Sequence, residues 1–265
     1  MLWEELTAQD FKAGIGKSKG VCVLPIGVLE KHGDHLPLGM DMFMVNAVAK
    51  KAAEKAPVIV FPYYFFGQIA EARHQPGCIA PSHRLMMDSL LEMCDEIHRN
   101  GFKKILILSG HGGNRHFLPF FAKMFPAINR QYAVYIYNGY EIEEEQRKDI
   151  ESRSGIAKMG DHGGFLETSL LMFLRPELVH LKRVKVEESV SLDRLKNLKD
   201  NNIYTGFNWY ANYPHHFAGD PSAAKPEYGE LIFDILVSNA VKIIETVKAD
   251  DVSLNLIKEC NSKSC

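Results

Sequence analysis

No apolar run in this chain approaches the roughly 20 residues that a membrane-crossing helix needs, so the sequence offers no helical membrane span. The first residues, Met1-Leu2-Trp3-Glu4-Glu5-Leu6, lack a basic segment leading into an apolar one. No secretory leader is expected, and a cytoplasmic setting is the simplest. Cysteine is sparse: Cys22, Cys78, Cys94, Cys260 and Cys265 show no Cys-x-x-Cys spacing. An odd set without that spacing fits reduced thiols better than a disulfide framework. Cys22, inside an apolar run, is expected to be a buried, inert thiol. Only two tryptophans occur, Trp3 and Trp209. Charge of one sign is also missing. A formal net charge of -2 gives no support for general binding to nucleic acid or to an anionic membrane. Linkers rich in Gly, Pro or Ser are absent, as are internal repeats, so residues 1–265 are expected to form a single domain.

What is present is an ordinary globular balance, 46% hydrophobic and 24% charged, in a chain long enough for a substantial core. Strand-like and helix-like runs alternate. Strands are expected over residues 21–28, 58–63, 103–109 and 133–138, with a further strand or edge extension over 184–190. Helices are expected over 43–56, 83–100, 116–125, 165–173 and 229–248. The run 141–153 is highly charged and reads as a solvated helix or loop. Residues 196–216 read as irregular, and 249–265 as weakly patterned. Alternation of this kind predicts a three-layer α/β/α fold with a largely parallel central sheet. In such folds the loops leaving the carboxyl ends of the strands collect functional residues.

Three segments carry the chemistry. The first runs Glu30-Lys31-His32-Gly33-Asp34-His35-Leu36-Pro37-Leu38-Gly39-Met40-Asp41, directly after the first strand. It packs three carboxylates and two imidazoles into twelve residues, a donor set that suits borderline divalent cations. In an extended backbone Glu30 and His32 share a side. Gly33, Pro37 and Gly39 then shape a loop that could return Asp41 toward them. The second is Gly110-His111-Gly112-Gly113-Asn114, at the end of another strand. His111 there either binds a metal or caps the helix that follows, and the Gly112 N–H could receive an anionic or carbonyl oxygen. The third runs from Gly160 to Ser169 and contains Asp161, His162 and Glu167. Glu167 is either a ligand or a helix first-turn carboxylate, and Asp161 could orient a substrate. His35 is expected to support the site rather than ligate. His74, His83, His98, His116, His180, His215 and His216 match no pattern and are expected at the surface or an interface.

The order and content of these segments resemble the creatininase (creatinine amidohydrolase) family. The matching stretches are Glu-x-His-Gly-x-His-Leu-Pro-Leu-Gly-x-Asp ending at Asp41, Gly-His-Gly-Gly-Asn ending at Asn114, and Asp-His-Gly-Gly-x-x-Glu-Thr-Ser ending at Ser169. Gly219-Asp220-Pro221-Ser222-Ala223 and the apolar helix after it resemble the family's C-terminal segment, so the likeness spans roughly residues 24–241. It implies a hydrolase of non-peptide carbon–nitrogen bonds with two divalent metal ions per chain: zinc, with manganese or iron as the alternatives. Glu30 and His111 would ligate one ion and His32 the other, with Asp41 bridging both. Creatininase itself has a glutamate where this chain has Gly113, so Glu167 is expected to complete the second site. His162 matches the family's catalytic histidine and would shuttle the proton while a hydroxide held between the ions attacks the carbonyl. The resemblance also implies a small-molecule amide as partner and a homo-oligomer, often a hexamer.

One stretch departs from the pattern. Residues 66–79 occupy the family's substrate-side loop and retain Glu71, Pro76 and Gly77. Ile69 and Ala72 stand where many members have serine and histidine, and Gln75 and Cys78 replace phenylalanine and threonine. Lost hydroxyl and imidazole groups change selectivity sharply, so creatinine is not the expected substrate. A cyclic amide, formamide or related small molecule is expected instead. Peptide maturation or nucleotide-formamide hydrolysis, as in other branches of the family, is the nearer rival. A metal-containing binding protein without catalysis is the further one.

Overall fold

The computed structural model describes residues 1–156 and 162–263. The strands are β1 (Val21–Ile26), β2 (Ile59–Val60), β3 (Lys104–Ser109) and β4 (Ala133–Asn138). They form one sheet in the order β2-β1-β3-β4, with every pairing parallel. The helices are α1 (Ala8–Lys17), α2 (Met40–Lys55), α3 (His83–Arg99), α4 (Asn114–Ala122), α5 (Glu144–Ser154), α6 (Phe165–Leu174), α7 (Lys196–Asp200), α8 (Asn208–Asn212), α9 (Pro226–Ala249) and α10 (Val252–Lys263).

β1 and β3 are buried along their whole length, as strands must be when both faces of a parallel sheet are covered. Their side chains alternate between two cores. Val21, Val23, Leu106 and Leu108 face the layer of α2, α6 and α9. Cys22, Leu24, Ile26, Ile105 and Ile107 face α3 and the apolar side of α4, with Phe11 and Ile15 of α1 packed alongside. The three-layer α/β/α arrangement expected from the alternation is the observed one. Cys22 is buried, also as expected.

Several boundaries differ from the expectations. α2 begins at Met40, so Asp41 lies in a helical first turn rather than at the tip of a loop. The 58–63 run contributes only the two residues of β2, bracketed by Pro57 and Pro62, which have no N–H to give to a ladder. α4 starts at Asn114 and stops at Ala122; Phe125–Ala127 form a separate 3-10 turn. Residues 184–190 make no strand, because Val186–Ser189 is a 3-10 turn lying off the sheet. The stretch 196–216 carries two single-turn helices, and the weakly patterned tail forms α10.

Two glycines set the distance between sheet and α2. A Cβ on Gly27, just past β1, would lie 2.5 Å from the Met42 backbone nitrogen. One on Gly110, just past β3, would lie 2.6 Å from Val45 Cβ and 2.9 Å from the Asp41 carbonyl oxygen. Only hydrogen at these positions lets the first turn of α2 settle across both strand ends. Gly27→Ala is therefore expected to cost about 1–3 kcal/mol through overpacking against a backbone that cannot yield. Denaturant unfolding of the purified variant measures it, and a midpoint equal to wild type would contradict the packing argument.

Candidate metal centre

The chemistry-bearing segments meet at the carboxyl edge of the sheet. Glu30 and His32 follow β1, Asp41 sits in the first turn of α2, and His111 follows β3. His162 precedes α6, and Glu167 lies in that helix's first turn. Glu30, His32, Asp41 and His111 are all buried. Asp161 lies outside the described residues.

Each imidazole is oriented by a carbonyl on its outer side. The Nε2–H of His111 donates to Gln68 O at 2.8 Å. His32 Nδ1 lies 3.1 Å from Glu30 O, and His162 Nε2 lies 2.7 Å from Lys31 O. In the neutral tautomers these bonds select, the inner nitrogens carry lone pairs aimed at carboxylates. His111 Nδ1 is 2.8 Å from Glu30 Oε1 and 2.9 Å from Asp41 Oδ2. His32 Nε2 is 3.1 Å from Asp41 Oδ1, 3.7 Å from Glu167 Oε2 and 3.8 Å from Glu30 Oε1. His162 Nδ1 lies 4.0 Å from Glu30 Oε1. Among the described residues, Glu30 Oε1 and Asp41 Oδ2 are buried without a hydrogen-bond partner. Lone pairs facing lone pairs in a buried place call for cations.

The donor atoms form overlapping sets that could each hold an ion: Glu30, Asp41 and His111; His32, Asp41 and Glu167; and Glu30, His32 and His162. Asp41 offers a different oxygen to each of the first two.

Without a cation, protons must fill these gaps. Burial opposes charge on His32, yet Glu167 and Asp41 outweigh it and push the imidazole up to about 10. His111 is likewise held well above the usual histidine range: burial works against its charge, and Glu30 and Asp41 overcome it. Glu167 is raised to about 7, chiefly by burial and then by Asp41 and Glu30. Burial also favours protonation of Glu30, but His111 and His162 keep it well below the ordinary carboxylate range. His162 is held well below the usual range by burial and by the neighbouring His32. A raised pKa means His32 and His111 are protonated in the chelator-treated protein near neutrality, and ligation must displace those protons. Zinc titrated into that protein in weak buffer at about pH 7 should release about two protons per chain. A pH electrode reads the release, and none would contradict ligation by these imidazoles.

His35 is buried and belongs to none of the donor sets formed by the described residues. Its Nε2 lies 2.9 Å from Gly163 O and 3.1 Å from Thr168 Oγ1, tying the first segment to the third. Burial lowers it to about 4 and keeps the ring neutral.

A cavity of about 950 Å³ opens beside the carboxylates, and Glu71 and Gly112 both line it. Glu71 also accepts a bond from Gln68 Nε2 at 2.9 Å. Ile69 and Ala72 do not face this space; they pack with Val28 in a small apolar cluster. The cavity's aromatic lining includes Tyr140, Tyr204, Trp209 and Phe117.

Two residues of the centre escaped the sequence reading. His216, expected at the surface or an interface, is buried with Nε2 2.8 Å from Glu30 Oε2. Trp209 donates its indole N–H to His216 Nδ1 at 3.0 Å and meets the His162 ring edge-on at 5.5 Å between centroids. No motif spacing marks either one. His83 and His116, also expected at the surface or an interface, line the cavity as well.

A parallel α/β sheet that gathers carboxylates and imidazoles at its carboxyl edge defines a metal-dependent hydrolase. Residues 4–244 match the creatininase family, described as creatinine amidohydrolase, and this chain belongs to that family of metal-dependent amidohydrolases. It is 25% identical over 192 residues to the creatinine amidohydrolase of Pseudomonas putida, covering 68% of this chain and 74% of that protein. It is 23% identical over 256 residues to the 3-dehydro-scyllo-inosose hydrolase of Thermotoga maritima, covering 87% and 78%. The mycofactocin precursor peptide peptidase of Mycobacterium ulcerans is 25% identical over 232 residues, with 84% and 83% covered. A creatininase structure of Zn-Zn type shares the fold with TM-score 0.77 at 22% identity, covering 94% of this chain and 98% of that one. A manganese creatininase gives TM-score 0.76 at 23% identity, with 94% and 99% covered. Among the described residues no helix is long and apolar enough to cross a membrane.

Proposed function

We propose that this enzyme hydrolyses a carbon–nitrogen bond in a small amide, either a cyclic amide or a formamide, at a pair of divalent cations. The observation that carries this is Asp41, whose two carboxylate oxygens face two different imidazoles, His111 at 2.9 Å and His32 at 3.1 Å. Glu30 and His111 would hold one ion with Asp41, and His32 and Glu167 the other with the same aspartate. Three carboxylates, Glu30 and Asp41 buried and Glu167 half-buried, balance most of the charge of two divalent ions, where a single ion would leave net negative charge at the site. Such a pair, zinc first and manganese or iron second, activates water at neutral pH and polarises a carbonyl.

The chain's own residues supply the rest. Glu167 is fixed by the Gly163 N–H, which donates to its Oε2 at 2.6 Å. His162, neutral and held by Lys31 O, presents an Nδ1 lone pair toward the carboxylates and would there take a proton from the attacking water and return it to the departing nitrogen. Gly112 and Glu71 line the space where the substrate would sit. Creatinine is disfavoured because Ile69 and Ala72, at positions of polar substrate contacts in many members, are buried in apolar packing. A second reading has support from cavity size. About 950 Å³ is at the upper end for small-ligand sites, and would admit a peptide terminus or a nucleotide-derived formamide. A homo-oligomer in the cytoplasm belongs to the same proposal, and light scattering of the purified protein tests the assembly.

Metal analysis joined to a screen of lactams, formamides and short peptides tests the function. About two ions per chain with turnover of a lactam or formamide supports the proposal. Turnover of peptides alone moves it to the second reading, and tight binding without turnover would defeat both. Glu167→Gln should weaken one ion and spare the other, since this carboxylate belongs to only one of the two donor sets that share Asp41. Equal retention of both ions would point to another ligand.

A further inference from the structure

His216 stands apart from the three segments that supply the ligands, yet it touches one of them. Its Nε2 lies 2.8 Å from Glu30 Oε2, across 186 residues of chain. Its other ring nitrogen accepts the Trp209 indole N–H at 3.0 Å. Indole can only donate, so His216 Nδ1 must carry a lone pair and Nε2 the hydrogen. The tautomer is thereby fixed, and the ring donates to Glu30. One glutamate oxygen is engaged, while Oε1 is left without a hydrogen-bond partner among the described residues and faces His111.

The backbone at His216 points the same way. Its φ is +54°, a left-handed conformation that side-chain-bearing residues seldom adopt. It is held by its own N–H donating to Tyr213 O at 3.0 Å and by its carbonyl accepting from Gly33 N–H at 3.3 Å. Strain kept at a buried histidine needs a compensating role. The Gly33 contact docks this loop onto the segment that holds Glu30 and His32. Nearby, His74 Nε2 and Gln75 Nε2 each lie 2.8 Å from Pro214 O, pinning the loop from its other side.

We infer that His216, with its tautomer set by Trp209, is a positioning residue that fixes the Glu30 carboxylate so that Oε1 alone is offered to a cation. The inference rests on the metal reading above, in which Glu30 is a ligand. Trp209 also forms part of the cavity wall, so the donor chain runs from the substrate space to the metal centre through two side chains.

The test is zinc affinity of the full chain after chelator treatment, measured by competition with a chromophoric chelator. Asparagine, like histidine, tolerates a left-handed backbone, so His216→Asn keeps the turn, but its amide ends short of Glu30. Loss of an oriented partner of this kind lowers metal affinity ~10–100-fold, here at one ion of the two. His216→Gln places an amide N–H near the original Nε2 and should recover most of that loss. Trp209→Phe keeps a ring but removes the indole donor, and should weaken the same ion by less. His216→Asn binding both ions within about twofold of wild type would overturn the inference. If that variant does not fold, Trp209→Phe decides, and unchanged affinity there overturns it as well. Glu30→Gln separates the two levels. If it loses an ion while His216→Asn does not, only the positioning role fails. If it keeps both ions at wild-type affinity, the ligand assignment fails and takes this inference with it.

Discussion

Asp41→Ala is expected to remove both ions together and to leave no measurable hydrolysis. The expectation follows from one side chain standing in two donor sets, Oδ2 toward His111 and Oδ1 toward His32. Any other single ligand substitution should act mainly on one ion. The fold should survive. Asp41 lies on the first turn of α2, where a carboxylate contributes about 0.3–1 kcal/mol through the helix dipole. That loss is small, but in the cation-free protein Asp41 also pairs with the protonated imidazoles of His32 and His111. Removing one partner of buried pairs is destabilising, so the chelator-treated variant should unfold at a lower denaturant concentration than wild type. Added zinc should separate them further. A ligand at 1,000 times its Kd stabilises the native state by about 4 kcal/mol per site, so wild type should gain strongly and Asp41→Ala almost nothing. Metal analysis and zinc-dependent unfolding read the two halves of this result. A variant retaining one full ion would show that the sites are independent, and Asp41→Asn would then reveal which oxygen matters.

The legible parts of this molecule share a feature: their information is local. β1 and β3 are continuous apolar runs, and α3 and α9 repeat apolar residues at helical spacing, so burial wrote itself into short windows of sequence. Glu30, His32 and Asp41 are legible for the same reason, lying within one segment next to glycines. His111 and Glu167 stand in recognisable motifs of their own segments, and the fold places both beside Asp41. Where sequence reasoning stopped, the cause was physical. The start of α2 at Met40 carries no capping side chain, since Gly39 precedes it, and nothing local announces a helix there. Val184, Val186 and Val190 look like a strand by residue type, but Val186 opens a 3-10 turn and none of the three joins the sheet. His216 is the sharpest case. Its role depends on Glu30, 186 residues away, and on an indole seven residues before it. A histidine between Pro214 and Phe217 has no spacing that reports such a partner.

His162→Ala is expected to keep both ions and lose most of the turnover. The geometry separates this residue from the ligands by degree. Its Nδ1 is 4.0 Å from Glu30 Oε1, against 2.8 Å for His111. Its ring stacks on His32 at 4.1 Å between centroids, and its Nε2 is bound to Lys31 O. The free nitrogen therefore faces the carboxylates, and burial with nearby positive charge keeps it unprotonated and able to accept a proton. Proton transfer by a placed side chain contributes ~10²–10⁴-fold, so kcat should fall by about that factor while KM changes little. The stacked position also permits the opposite outcome, because Glu30, His32 and His162 can together surround one ion. Metal content decides. Two retained ions with a large fall in kcat assign His162 to proton transfer. One lost ion would make it a ligand and move the proton-carrying role to another side chain lining the cavity. Full activity with both ions would leave His162 with only a packing role between His32 and Trp209.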